Sequence, residues 1–318
     1  MRWYNSFYTR ETMQLLRIFF ALCLLTSCNL PHKCCPDQFK WTFNSQHIAF
    51  NFNLAMMDGD HLYGTDGEFP EEVGLFNTRE SKWYTAPQIP TPVKFETGVQ
   101  FNHFIYLMGG MNKDSEITSA FQKLDLSQNL WTTLPNLPMP VSKAASVIYK
   151  NKIYLIGGIT GTSGENKLVT NSLQVYDPSS GIWQKKSSMP VARYGHSAIV
   201  VNDKIIVAGG STEDNQSIAT VIEYNPDTDH WSQKADVVSP MGYIGLFSVK
   251  GRIYGIFGKP HEFESRLIHY DPDADQWTDV GNVPERLTRF GITSAGDHVY
   301  IIGGQLKPNL LLIGKKLN

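Results

Sequence analysis

Lysine, arginine, histidine and glutamate side chains recur in the segments that lead into a set of short apolar runs. When these segments are aligned on the glycines that follow each run, nine side chains of interest fall at similar places: Lys94, Glu96, Lys143, Arg193, Tyr194, His196, Tyr243, Arg286 and Arg289. Several cations with few carboxylates nearby attract an anion, and arginine suits a carboxylate because it donates charge-assisted hydrogen bonds. We expect Arg193 and Arg289, both facing solvent, to be the main ligand contacts. The other expected ligand contacts are Lys94, Lys143 and Tyr194.

Two of these side chains are of types that transfer protons. Glu96 and His196 could act as general acid and base on a ligand whose carboxylate is held by Arg193. Other catalytic signatures are absent. The glycine-rich residues 157–164 lack the Gly-Lys-Ser/Thr ending of a phosphate-binding loop and are expected to form a loop between strands, and no Gly-x-Ser-x-Gly motif is present. The nine histidines show no paired metal-ligand spacing, so we expect no metal and no cofactor.

The apolar runs that must position these residues form a sixfold repeat. Four copies end in two glycines, at residues 105–110, 153–158, 205–210 and 299–304, and two altered copies, at 62–67 and 253–258, keep only the last glycine of the pair. The last glycines are separated by steps of 43, 48, 52, 48 and 46 residues. A period near 50 predicts a radial or stacked repeat architecture.

Five repeats also carry an aromatic or apolar residue followed seven positions later by tryptophan. The clearest copies are Tyr-Asp-Pro at 176–178 with Trp183 and Tyr-Asp-Pro at 270–272 with Trp277. An apolar strand, a glycine pair, and then Tyr-Asp-Pro and Trp closely resembles the kelch repeat, and the resemblance covers residues 34–318. It implies an all-β fold, a six-bladed kelch β-propeller with four-stranded blades, in which the first strand of each blade lines a central channel. A single blade could not bury its apolar faces without neighbours.

The two ends of the repeat region complement each other. After Gly304 the sequence has room for one more strand, near residues 310–313, so the sixth blade lacks its tryptophan strand. Residues 34–41 end in Trp41 and match residues 270–277 in length and in the position of proline. We therefore predict that the N-terminal strand completes the C-terminal blade, which closes the ring and removes two free sheet edges.

The first 33 residues are not expected to belong to the propeller. Apolar residues 18–25 follow Arg17 and are too few to span a bilayer, which is typical of a secretory signal. Residues 25–28, Leu-Thr-Ser-Cys, resemble the lipobox of bacterial lipoproteins, which implies acylation at Cys28. The predicted organisation is a signal peptide at 1–27, a tether at 28–33 and the propeller at 34–318, in a periplasmic or outer-membrane lipoprotein of a Gram-negative bacterium. An ordinary cleaved signal and an uncleaved tail are the alternatives, and translation starts at Met1 or Met13.

Charge and cysteine content limit the partners. Without residues 1–27 the chain loses three arginines and one glutamate, which leaves 25 basic and 29 acidic side chains. A net charge near −4 gives no reason to expect nucleic acid as a partner. All four cysteines lie within the first 35 positions, so no disulfide framework is expected, and the adjacent Cys34 and Cys35 are expected to be free. We expect a monomer that contacts the membrane only through its lipid.

Two functional classes fit these observations. The first is a ligand-binding or protein-interaction module that takes an anionic sugar or peptide, or a protein partner, at the channel mouth. The second is a sugar mutarotase or epimerase, because the periplasmic N-acetylneuraminate epimerases are also exported six-bladed kelch propellers; Glu96 and His196 would then be the catalytic residues. That family generally has large loop insertions, whereas the steps here never exceed 52 residues. Binding is therefore the preferred interpretation, although a fold alone does not establish a function.

Overall fold

The computed structural model describes residues 38–44, 52–66, 72–161, 167–258, 264–304 and 310–317. All of them lie within the structural unit Asp37–Asn318. The predicted signal peptide and tether, including Cys28, lie outside the described residues, as do Cys34 and Cys35. The described ranges contain strands but no helix, and hence no helix long and apolar enough to cross a membrane.

The strands form six four-stranded sheets, which are the six predicted blades. Blade 1 contains β2 (Phe52–Asp58), β3 (His61–Asp66), β4 (Val73–Asn77) and β5 (Lys82–Thr85). Blade 2 contains β6 (Thr97–Phe101), β7 (Phe104–Met108), β8 (Phe121–Asp125) and β9 (Leu130–Thr133). Blade 3 contains β10 (Ala145–Tyr149), β11 (Lys152–Ile156), β14 (Leu173–Asp177) and β15 (Ile182–Lys186), and carries an extra hairpin of β12 (Ile159–Gly161) and β13 (Lys167–Val169). The expectation of a plain loop at 157–164 is thus wrong in part, because residues 159–161 pair with β13.

The remaining blades follow the same order from the channel outward. Blade 4 contains β16 (Ser197–Val201), β17 (Lys204–Ala208), β18 (Val221–Asn225) and β19 (His230–Lys234). Blade 5 contains β20 (Gly245–Val249), β21 (Arg252–Gly258), β22 (Ser265–Asp271) and β23 (Gln276–Val283). Blade 6 contains β24 (Gly291–Ala295), β25 (His298–Ile302), β26 (Leu311–Lys316) and, on the outside, β1 (Phe39–Phe43).

The strand β1 closes the ring as predicted. It runs antiparallel to β26, with Trp41 opposite Gly314. The indole lies so close to Gly314 that a Cβ atom added there would be 2.5 Å from the ring. Phe39 reaches the neighbouring blade, where its ring centre lies 5.3 Å from that of Tyr254. The closing strand therefore contributes both ladder hydrogen bonds and aromatic packing between blades 5 and 6.

The two faces of the ring differ in backbone conformation. We call the face with the turns between the inner two strands of each blade the lower face, and the face with the glycine pairs the upper face. In blades 3 and 4 both central residues of the lower turn have positive φ, at Lys150–Asn151 and Asn202–Asp203. Such turns match the right-handed twist of hairpin strands. At the upper face lie the glycine pairs. A Cβ atom on Gly109, whose φ is +66°, would be 2.0 Å from the carbonyl oxygen of Val141, so the segment leading into the next blade passes directly over the glycine backbone.

The core lies between adjacent blades. The tyrosine and the tryptophan seven residues later lie opposite each other on the outer two strands of a blade, so their rings are in contact. The ring centres are 5.0 Å apart for Tyr176 and Trp183 and 4.9 Å apart for Tyr224 and Trp231. Phe121 of blade 2 then packs on Trp183 of blade 3 at 5.3 Å. These contacts explain the tryptophan spacing, because each ring pair fills the gap between neighbouring sheets. The stacking holds the inner strands in a ring around the channel.

Candidate functional site

The central channel forms a cavity of about 620 Å³. All six inner strands line it, namely β2, β6, β10, β16, β20 and β24. Much of the polar lining is already used between blades. The hydroxyl groups of Thr97 and Ser146 lie 2.8 Å apart, and the Ser294 hydroxyl donates to the carbonyl of Ser248 at 2.7 Å. The channel wall is therefore held together by hydrogen bonds across blade boundaries, and the groups most suited to a ligand lie at the upper mouth.

Five residues encircle that mouth, one from each of blades 2 to 6. Each stands two positions before its inner strand and lines the cavity. We call them the collar: Phe95, Lys143, Gly195, Tyr243 and Arg289. Because blades 2 to 6 each supply the same position, residues far apart in the sequence come together here. Lys143, Tyr243 and Arg289 are among the residues that the sequence placed on this rim, whereas Phe95 and Gly195 are not.

The collar backbone is left-handed at four of its five positions. The φ angles are +60° at Phe95, +53° at Lys143, +62° at Gly195 and +53° at Arg289. Glycine adopts this conformation freely, whereas other L-residues adopt it at a cost of about 1 kcal/mol or more. The amide of Lys143 donates to the carbonyl of Phe95 at 2.8 Å, and the amide of Gly195 donates to the carbonyl of Lys143 at 3.0 Å. These hydrogen bonds between blades hold the strained positions in place.

Aromatic rings fix the two collar cations. The Lys143 Nζ atom lies 4.9 Å from the ring centre of Phe95 and 5.4 Å from that of Tyr194. The Arg289 guanidinium carbon lies 4.9 Å from the ring centre of Tyr243. Cation–π contacts restrain a charged side chain without neutralising it. Blades 3 and 6 are three steps apart in either direction around a six-bladed ring, so Lys143 and Arg289 stand on opposite sides of the mouth.

Glu96 and His196 lie one residue further in, on blades 2 and 4, and both are buried beside the cavity. Their side chains contact different blades. The Thr65 hydroxyl of blade 1 donates to Glu96 Oε1 at 2.5 Å, whereas the His196 ring lies against Gly157 of blade 3. Burial, together with the nearby charge of Arg193, lowers the pKa of His196 to about 3, so this imidazole is neutral at pH 7. The two side chains therefore do not form a converging acid–base pair.

The expectation that Arg193 faces solvent is wrong. Its side chain is fully buried, at 0% exposure, and it donates to the carbonyls of Gly209 at 3.1 Å and Thr220 at 2.9 Å and to the Thr220 hydroxyl at 3.0 Å. Burial lowers the pKa of Arg193 to about 10, which leaves it protonated at neutral pH. The corresponding position, four residues before the inner strand, is Met241 in blade 5 and Leu287 in blade 6. Sequence spacing did not distinguish this packed position from the collar two residues later.

Lys94 and Tyr194 stand next to the collar, outside the cavity lining. Each extends a small ladder at the upper face, where Lys94 pairs with Met111 and Tyr194 pairs with Ser211. The Tyr194 hydroxyl donates to Asn215 Oδ1 at 2.7 Å. Within the described ranges, no three histidine, cysteine, aspartate or glutamate residues are grouped so as to hold a metal ion.

Comparison with known proteins places this geometry in a family. Residues 95–304 match the KLHDC2/KLHL20/DRC7 kelch-repeats domain. Kelch-like protein 15 of Mus musculus is 26% identical over 222 residues, which cover 62% of this chain and 35% of that protein. Alpha-scruin of Limulus polyphemus is 33% identical over 76 residues, which cover 24% of this chain and 8% of that protein. The chain thus spans about a third of the length of the first relative and less of the second.

A solved structure shares the fold. The structure of YjhT superposes with a TM-score of 0.69 and 17% sequence identity, covering 84% of this chain and 94% of the other. At this identity the likeness concerns the fold alone. Three observations agree, namely the repeat period, the six four-stranded blades and a domain match over residues 95–304. The chain belongs to the kelch-repeat family.

Proposed function

We propose that this kelch propeller is a protein-interaction module that takes an anionic group of its partner between Lys143 and Arg289 of the collar. Kelch domains generally bind protein partners. The observation that carries the proposal is that two cations face each other across the mouth of a cavity, each held by an aromatic ring. An anionic group at the mouth would be attracted by both cations and could accept a charge-assisted hydrogen bond from either of them.

The backbone of the collar supports this role. Lys143 and Arg289 occupy left-handed positions for which Gly195, at the same place in blade 4, is the low-cost residue. Strained backbone that persists at non-glycine residues clusters at binding sites, where the side chain is needed. Glu96, which follows Phe95 of the collar, accepts a hydrogen bond from the Thr65 hydroxyl of blade 1. Lys143 and Arg289 place positive charge at the mouth, which favours an incoming anion.

Peptide pools test this proposal directly. Fluorescein-labelled heptapeptide pools with glutamate fixed at the centre are compared with matched pools carrying glutamine there, by fluorescence anisotropy on the full chain. We expect the glutamate pool to bind about tenfold or more tightly, since a hydrogen bond to a charged group is worth roughly 1.5–3 kcal/mol. The preference should disappear in the variant Lys143→Gln with Arg289→Gln. Equal binding of both pools, or no binding at millimolar protein, would overturn the proposal.

A sugar-acid mutarotase is the second candidate. It is favoured by one observation, namely that the buried carboxylate of Glu96 lines the same cavity as Arg289. NMR of N-acetylneuraminate anomers tests it, with accelerated exchange that is lost in Glu96→Gln or His196→Ala as the expected result. Binding without accelerated exchange would exclude the mutarotase, and it would leave the binding proposal intact.

We also propose that the protein is exported and anchored by acylation of Cys28. The support is the sequence of residues 17–28, in which an arginine, a short apolar run and small residues precede the cysteine. A single acyl chain gives only reversible membrane binding, whereas two or more give stable anchoring.

A further inference from the structure

The channel wall below the collar offers aliphatic side chains to a ligand held at the mouth. We propose that the partner's binding segment carries a large apolar residue close to its acidic residue, and that the apolar side chain enters the channel while the acidic one stays at the collar. This inference rests on the proposed function, because the collar is what takes the acidic residue.

Blade 4 contributes the most accessible part of this wall. All five residues of its inner strand β16 are half-buried, whereas the inner strands of blades 2, 3, 5 and 6 each contain at least one buried residue. Three consecutive apolar residues of β16 line the cavity, namely Ala198, Ile199 and Val200. Blade 4 therefore presents a strip of aliphatic carbon to a group that passes the mouth.

Three other blades add apolar side chains to the same cavity. These lining residues are also half-buried: Leu54 and Met57 of blade 1, Ile148 of blade 3 and Ile292 of blade 6. Each of the four also packs against a core cluster between blades. The accessible apolar surface is therefore part of a packed wall, which holds its shape when a ligand enters.

Most polar side chains of the wall already have partners within it. Six polar side chains of the inner strands line the cavity and are half-buried: Gln100, Ser146, Ser197, Ser248, Thr293 and Ser294. Four of these six take part in hydrogen bonds between blades. The Gln100 amide donates to Asp58 Oδ1 at 3.0 Å, and the Ser197 hydroxyl accepts from the Leu246 amide at 3.1 Å. A polar ligand group would leave water for few free partners, whereas an apolar group gains free energy by leaving water.

The position of the charges sets the order of the two ligand groups. Lys143 and Arg289 stand two residues before their inner strands, so the positive charge lies at one end of the cavity and the aliphatic wall lies beyond it. An extended peptide advances about 3.3 Å per residue, so a side chain within about two positions of the acidic residue reaches the same mouth. The cavity of about 620 Å³ then receives the apolar side chain.

Leucine-containing pools test the inference on the full chain. Heptapeptide pools with a central glutamate carry leucine at one of the four positions within two residues of it, and each is compared with the same pool carrying serine there. We expect at least one leucine pool to bind about tenfold more tightly than its serine counterpart, because a leucine side chain is buried. This leucine preference should persist at 1 M salt, where the preference for glutamate shrinks.

The outcomes separate this inference from the proposed function. If glutamate-centred pools are preferred over glutamine-centred pools but leucine has no effect at any position, the inference fails and the proposed function stands. If leucine is preferred while glutamate and glutamine centres bind equally, the proposed function fails and so does the pairing of an acidic with an apolar residue.

Wall variants locate the source of the leucine preference. Ile199→Thr and Val200→Thr each replace an aliphatic side chain of β16 by another β-branched residue that carries a hydroxyl. Their matched control, Ile182→Thr, makes the same exchange on the outer strand of blade 3, where Ile182 is exposed. Thermal unfolding establishes that each variant is folded. We expect only the wall variants to lose several-fold of the leucine preference while keeping the preference for glutamate. An unchanged leucine preference in both wall variants, or an equal loss in the control, would overturn the inference.

Discussion

Lys143 is bound twice to the same residue of the neighbouring blade: its amide donates to the Phe95 carbonyl at 2.8 Å, and its ammonium lies 4.9 Å from the Phe95 ring centre. The backbone contact keeps Lys143 at a φ of +53°, and the side-chain contact keeps the charge at the channel mouth. Lys143 is thus held by Phe95 in a conformation that a non-glycine residue adopts only at a cost.

Replacing Lys143 should separate stability from binding. We expect Lys143→Gly to be more stable than Lys143→Ala by about 1 kcal/mol, because alanine keeps the left-handed strain that glycine relieves. Both variants should lose the preference for glutamate-centred peptides. Urea unfolding of the two proteins measures the difference. Equal stability of the two variants would show that this position carries no strain.

The closing strand should be coupled to the blade it completes. Gly314→Ala is expected to destabilise the protein by about 1–3 kcal/mol, because the added methyl group meets the Trp41 ring. In a Trp41→Ala background the same change should cost less, so a double-mutant cycle should give a clear interaction energy. Trp41→Ala itself should resemble Trp183→Ala, since both indoles are half-buried. Additive effects of Gly314→Ala and Trp41→Ala would contradict the pairing of β1 with β26.

We expect Arg193 to affect the stability of the fold but not peptide binding at the collar. Arg193→Met, which introduces the residue found at this position in blade 5, should lower the free energy of unfolding by about 1–3 kcal/mol, because the carbonyls of Gly209 and Thr220 lose their donor. Peptide selectivity at the collar should be unchanged. Thermal unfolding and anisotropy on the same sample check both statements. A stable variant that loses selectivity would instead place Arg193 in the binding site.

His196 should make the fold sensitive to acid. The pKa of His196 is lowered to about 3 in the folded protein, whereas an unfolded histidine has a pKa near 6.5. Below pH 6.5 the unfolded chain therefore binds a proton that the folded chain does not, and stability falls as pH falls from about 6.5 to 3. By pH 5 this amounts to about 2 kcal/mol.

The histidine contribution is isolated by comparing two proteins. His196→Ile, which introduces the residue found one position before the inner strand of blade 5, should have a flatter stability profile between pH 7 and pH 5 than the unmodified chain. Urea unfolding at several pH values measures the slopes. Carboxylates contribute equally to both proteins, so the difference belongs to His196. Parallel profiles would mean that this imidazole binds a proton equally well in both states.

Export can be tested through the two cysteine positions. Cys28→Ser should abolish incorporation of labelled palmitate and leave precursor or released protein, whereas Cys34→Ser should do neither. Intact-mass measurement of the native protein should show loss of residues 1–27. A native protein that retains those residues would contradict the proposal.

The sequence alone determined the architecture of this protein. Glycine pairs, Tyr-to-Trp spacing and a matching terminal segment ending in Trp41 predicted six blades and the closing strand, and the pairing of β1 with β26 confirms them. These features are readable because they repeat: each blade must bury the same faces against its neighbours, so the same residue types return at the same spacing. A periodic pattern of this kind predicts the fold even where the sequences of the individual loops differ.

Only the tertiary structure decided which side chains form the candidate site. Arg193 and Lys143 both precede inner strands and look alike in sequence, but one is buried against the carbonyl of Gly209 and the other stands at the channel mouth. Arg193 lies four residues before its inner strand and Lys143 lies two residues before its own. Both lie in a segment without regular secondary structure whose backbone turns left-handed at the collar. No local pattern encodes that turn, because the carbonyl that holds Lys143 in it belongs to Phe95, 48 residues earlier in the chain and one blade away.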